Sequence, residues 1–208
     1  LTLARRAAYP PRPRRAAGGG SREPPSEEAA IAAPRYTSRR LSYAALLVAA
    51  GLTGVYAESI PNFEVLTLVV FCSGVLLGAR DGMLVGALSM GAYTLLNPYG
   101  PAHPLVMAAQ IAGTAAAGLG GALFRRAGLP ARPAGVRAAA LALAAVVLTV
   151  WFDLITNLAT GVVMGQIRAS LIAGIPFSLW HIGYNVLLFV ALGTALVAVF
   201  ARYAERLA

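Results

Sequence analysis

Between Arg137 and Arg202 only two residues, Asp153 and Arg168, are charged. An apolar run of that length cannot turn a face to water at either helical or strand period, and it is far longer than a segment buried in a soluble core. A bilayer accommodates it, since each spanning helix needs about 20 mostly apolar residues. The upstream sequence is similar in kind, and the whole chain is 58% hydrophobic and 12% charged, where soluble domains carry roughly 25% charged residues. With so little charge, lipid must do the solvating. The expectation is an all-α membrane protein with about six transmembrane helices, in the cell membrane.

The charge that remains is unusual. The formal net charge is +9, and every basic residue is Arg; there is no Lys. A phosphate-gripping loop of the Walker type needs its Lys, and a Schiff base needs one too, so neither chemistry is available. The basic balance does not point to nucleic acid, because the Arg residues sit in the first 40 residues or beside the ends of apolar spans, as cytoplasmic loops do. Cys72 is the only cysteine, which excludes a disulfide framework and a cluster of Cys metal ligands. Neither a cofactor nor a metal is expected.

Residues 1–37 are rich in Pro, Arg, Ala and Gly and lack an apolar period, so they read as a disordered head. No apolar run precedes Leu41, which argues against a secretory signal. Glu23, Glu27 and Glu28 count against a transit peptide. A first residue other than Met suggests an overextended or truncated start. Residues 38–208 form the expected membrane domain. Its spans are placed at Leu41 to Tyr56, Asn62 to Gly78, Met83 to Leu96, Leu105 to Phe124, Ala138 to Met164 and Leu171 to Ala201. The segments Arg80-Asp81-Gly82 and Asn97 to Pro104 read as loops. The N-terminal flank, the loops after spans two and four, and the C-terminus hold nearly all the Arg, so both termini are expected in the cytoplasm.

Polar side chains in hydrocarbon are costly and usually face the protein interior. Several fall at the outward ends of the spans: Asn62 and Glu64; Asn97, Tyr99 and His103; Gln110; Asp153, Thr156 and Asn157; and Trp180, His181, Tyr184 and Asn185. Asp153 and Asn157 are four apart and share a helix face, as do His181 and Asn185. If spans five and six pack antiparallel, these faces meet, with Pro176 as a point of kinking. The candidate ligand residues are Glu64, Asn97, Tyr99, His103, Gln110, Asp153, Asn157, Trp180, His181 and Asn185, around an outward cavity of small-molecule type. Plainer readings exist for each. Asp153 and His181 fit a buried structural pair. Asn62 and Asn97 fit helix caps, Glu64 a dipole partner, Gln110 interhelical glue, and Trp180 and Tyr184 core or lipid-facing aromatics.

Ala45 and Ala49, four apart on span one, form a small-residue face that lets another helix approach. Gly82, Gly86 and Gly91, with Gly113, Gly118 and Gly120, read as internal contacts of the same kind. Enzyme motifs are poorly represented. His103 and His181 cannot form a zinc site that needs two His on one helix, no G-x-S-x-G elbow occurs, and no spacing ties Ser73 or Ser89 to His181.

Several stretches resemble the substrate-binding S components of energy-coupling factor transporters. They are Pro61 to Thr67, Gly78-Ala79-Arg80-Asp81-Gly82, Gly86-Ala87 and Asn97-Pro98-Tyr99-Gly100-Pro101, then Phe152 to Asn157, and Gly174-Ile175-Pro176-Phe177 followed by His181 and Asn185. The resemblance covers about residues 40 to 200. It implies a six-helix protein that captures a vitamin or related micronutrient from outside, with a pocket built from outer loops and the outer halves of helices four to six. It also implies a transmembrane coupling protein and two cytoplasmic ATPases as partners, with Ala45 and Ala49 against the coupling protein. The pattern is most like the cobalamin-linked subgroup, with riboflavin and queuosine-precursor types also similar. Two other readings stay open: a six-span cell-shape scaffold, which would bind no ligand, and an intramembrane enzyme.

Overall fold

The computed structural model describes residues 37–56, 64–97 and 100–207. The expected disordered head up to residue 36, the turn from Glu58 to Pro61, Asn62 and Tyr99 lie outside the described residues. All regular structure among the described residues is helical. The helices are α1 (Ser38–Tyr56), α2 (Leu66–Leu77), α3 (Ala79–Leu95), α4 (Pro104–Arg126), α5 (Ala134–Val163), α6 (Ile167–Leu188) and α7 (Thr194–Ala204). A 3-10 turn at Leu129–Ala131 precedes α5, and one stretch of π-helix, Phe189–Gly193, joins α6 to α7. Three helical stretches are long and apolar enough to cross a membrane: α4, α5 and the continuous run Ile167–Ala204. Their outer faces stay apolar. Leu143, Leu179 and Leu187 are each more than 60% exposed, and such surface is unfavourable in water. These are the properties of a helical membrane protein.

The centre of the bundle is α2. It is apolar all round, and ten of its residues, from Leu66 to Leu77, are buried, as befits a helix enclosed by others. Phe71 stands between Phe124 and Phe189, with ring centroids 5.4 and 5.1 Å away in edge-to-face geometry. On one side α2 meets α3 and α4 through glycine. A Cβ placed on Gly74 would fall 1.8 Å from the Gly118 carbonyl oxygen, and one on Gly118 would fall 2.2 Å from the Gly82 carbonyl carbon. The three backbones touch, which only residues without side chains permit.

One boundary differs from the sequence reading. Arg80, Asp81 and Gly82 do not form a loop; they lie in the first turn of α3, which begins at Ala79. Gly78 makes the whole connection by itself at φ 94°, a conformation that costs glycine little. Asp81 then sits at a helix N-terminus, where its charge is favourable. The break leaves the last carbonyls of α2 without helical partners, and two guanidinium groups supply them. Arg40 of α1 donates to the Leu77 carbonyl and, at 2.7 Å, to Asp81 Oδ2. Arg125 of α4 donates to the carbonyls of Val75 at 2.9 Å and Leu76 at 3.3 Å. These contacts gather the Arg-bearing ends of α1, α3 and α4 around the C-terminal end of α2.

Pro176 lies inside α6, and the helix continues on both sides of it. The departure from α geometry comes later, at Phe189–Gly193.

Candidate functional site

The geometry follows from helix lengths. At 1.5 Å per residue α2 is about 18 Å long and α4 about 35 Å. Arg125 ties their C-terminal ends together, so α2 begins roughly halfway along α4, near Thr114. Above the start of α2 lies a cavity of about 200 Å³. Its polar wall is Glu64, Thr67, Asn97, Gln110, Thr114 and His181. Val55, Leu66, Met90, Tyr93 and Phe152 supply the rest.

Helices α5 and α6 bring the His into place. Buried positions recur every four residues on both: Leu141, Ala145 and Thr149 on α5, His181, Asn185 and Phe189 on α6 and its extension. Such stripes are the contact ridges of an antiparallel pair. Along the seam Thr149 meets Asn185, whose Nδ2 donates to Thr149 Oγ1 at 3.0 Å. About one turn further, Asp153 Oδ1 lies 2.9 Å from His181 Nδ1. An ionised carboxylate only accepts, so the ring proton belongs on Nδ1. This orients Nε2 toward Glu64, whose Oε1 is 3.9 Å away. The imidazole therefore lies between two carboxylates, one on α5 and one just before α2, with its side chain only 5% exposed. Phe152 packs edge-on against the ring at 6.0 Å.

Glu64 is fixed independently. Its carboxylate accepts from the Thr67 amide at 3.0 Å and from the Thr67 hydroxyl at 2.7 Å, capping the otherwise bare start of α2. The same carboxylate thus caps the helix and lines the cavity. Two further atoms of the lining are buried without a hydrogen-bond partner: Gln110 Oε1 and His181 Nε2. Buried polar atoms are ordinarily satisfied, so both atoms keep hydrogen-bonding capacity at the cavity wall.

The expected site residues thus separate into groups. Glu64, Asn97, Gln110 and His181 line the cavity, and Asp153 stands directly behind His181. Asn185 lies deeper in the seam, paired with Thr149. Asn157 packs on Gly174 and borders a separate groove with Ser170 and Phe177. His103 is exposed and caps α4, its Nδ1 accepting from the Leu105 amide at 3.3 Å. Trp180 is 54% exposed; it neighbours His181, and adjacent helical residues point about 100° apart. None of Asn185, Asn157, His103 and Trp180 reaches the cavity. Thr67, Thr114 and Thr149 were missed by the sequence reading. Their spacing was the available signal, since Thr114 follows Gln110 by four, Thr149 precedes Asp153 by four, and Thr67 follows Glu64 by three.

Comparison with family models, curated proteins and solved structures finds no match.

Proposed function

We propose that this chain is the substrate-binding component of an uptake transporter of the energy-coupling factor type. In this reading α1, α2, α3, α4, α5 and the continuous α6–α7 helix are the six spans. The Arg-rich end and both termini are cytoplasmic, and the cavity opens outward. The observation that carries the reading is the convergence on one cavity of Glu64 from the approach to α2, Gln110 from α4 and His181 from α6, with Gln110 Oε1 and His181 Nε2 buried without a hydrogen-bond partner. The cavity's position at the end opposite the arginines agrees with a ligand arriving from outside.

Glu64 and Gln110 Oε1 present acceptors. The matching ligand is rich in N–H or O–H donors. A volume of about 200 Å³ is below the roughly 300–1,000 Å³ of drug-sized sites, so compact micronutrients fit the reading better than cobalamin. Transport then requires a coupling protein and two ATPases, since the chain has no Lys for a nucleotide loop. Ala45 and Ala49 are exposed on α1 and suit the docking of that coupling protein.

The test is mass spectrometry of small molecules released from the purified chain, followed by binding measurements across a vitamin panel. Recovery of one donor-rich solute, lost in Gln110→Ala, is expected. An empty protein that binds no member of the panel would sink the proposal.

A further inference from the structure

A second, larger cavity lies at the other end of the bundle, in the arginine-rich region. It measures about 730 Å³ and sits where the end of α4, the 3-10 turn, the start of α5 and α7 come together. Arg125, Arg137 and Arg202 line it, with Glu205 as the one acidic side chain. Arg125 is held by its bonds to the α2 carbonyls. Arg137 is held by bonds from one terminal nitrogen to the carbonyls of Pro130 and Arg132, both at 3.2 Å. Its Nε is buried with no acceptor. Arg202 makes no hydrogen bond or ion pair with any described residue. The cleft therefore has two anchored guanidinium groups, a third with no partner among the described residues, a buried donor without an acceptor, and a net charge of +2 from these four side chains.

We propose that this cleft binds the phosphate of an anionic phospholipid headgroup. A guanidinium offers donors in a fixed fork that matches phosphate oxygens. Basic pockets between helices at the cytoplasmic face are suited to such headgroups. The floor and α7 wall favour lipid over a free anion. Pro130 is buried there, and Ala198 and Ala201 leave an apolar, side-chain-poor channel. Beyond it on α7, Leu196 and Val199 are exposed apolar side chains, which would give acyl chains a surface adjoining the arginines. The proposal is independent of the outer cavity and of any transported solute.

The experiment is native mass spectrometry of the full chain, delipidated in detergent and then offered phosphatidylglycerol or phosphatidylcholine at equal concentration. Preferential retention of phosphatidylglycerol is expected. Arg202→Gln should reduce it about fivefold, the effect of one basic side chain near an anionic headgroup, and Arg137→Gln should do the same or more. Arg39→Gln, at the same end but outside the cleft, should leave it unchanged. Arg202 is exposed and bears no structural bond, so its variant reports on binding even if Arg137→Gln fails to fold. Equal retention of the two lipids, or full retention by Arg202→Gln, overturns the proposal. Displacement of the lipid by millimolar inorganic phosphate alone overturns it in favour of a soluble anion.

Discussion

His181 Nδ1 lies 2.9 Å from Asp153 Oδ1, and the opposite ring nitrogen faces Glu64 at 3.9 Å. One carboxylate fixes the ring, and the other leaves a gap too wide for a direct hydrogen bond. The contact behind the ring holds the imidazole in place, and the gap in front of it borders the cavity.

This division predicts strong coupling on one side only. Replacing Asp153 by Ala should strip the imidazole of its partner and cost about 1–3 kcal/mol. In a double-mutant cycle, Asp153→Ala and His181→Ala should be non-additive by about 0.5–3 kcal/mol. Glu64→Gln with His181→Ala should show a smaller coupling in the ligand-free protein. Chemical unfolding in detergent measures all of these. Equal coupling for the two carboxylates would contradict the geometry.

Gln110 gives the opposite signature. Its Oε1 is buried and unpartnered, so the ligand-free protein loses nothing by its removal. Gln110→Met, similar in volume, should leave the unfolding temperature unchanged or raise it, because an unsatisfied acceptor carries a desolvation penalty. The same variant should weaken retention of the copurified solute about tenfold or more, for one lost hydrogen bond in a dry site. A destabilised Gln110→Met with normal retention would identify the residue as helix glue instead.

Gly118 tests the packing that positions the cavity. A Cβ there would fall 2.2 Å from the Gly82 backbone, and backbone cannot move aside as a flexible side chain can. Gly118→Ala should therefore destabilise by about 1–3 kcal/mol or more. Gly91→Ala, whose Cβ would meet only Ile111 at 3.7 Å, should be nearly silent. Thermal unfolding of the two variants gives the comparison.

These contrasts also show what the sequence made legible. Apolar length revealed the helical membrane class, and the four-residue spacing placed Asp153 and His181 on facing stripes. Glycines 82 and 118 were recognisable as contact residues. Spacing could not say how deep each polar residue lies. Asn185 shares the face of His181 but sits one turn further from the cavity, where Thr149 takes its amide. Trp180 is adjacent in sequence and on another face altogether. The loop expected at Arg80 to Gly82 was misplaced because charge and glycine normally signal a turn, whereas here Gly78 turns alone and Gly82 is needed inside the helix for close packing. His103 resembled a site residue by type, but a side-chain acceptor just before a helix also caps it.

The last prediction separates ligand capture from coupling. Ala45 and Ala49 are exposed on α1, whereas the buried residues of that helix, Gly51 and Val55, lie toward its cavity end. Enlarging an exposed side chain should change stability by no more than about 0.5 kcal/mol, and neither Ala lines the cavity. Ala49→Trp should thus fold normally and retain its solute. It should nevertheless fail to assemble with a coupling protein, since a helix interface built on small residues tolerates no added bulk. Co-purification with the coupling subunit, read beside solute retention, measures both. If Ala49→Trp assembles as well as the unmodified chain, the small-residue face of α1 is not the docking surface. If it loses the solute while remaining folded, α1 contributes to the cavity in a way that the positions of Ala45 and Ala49 do not account for.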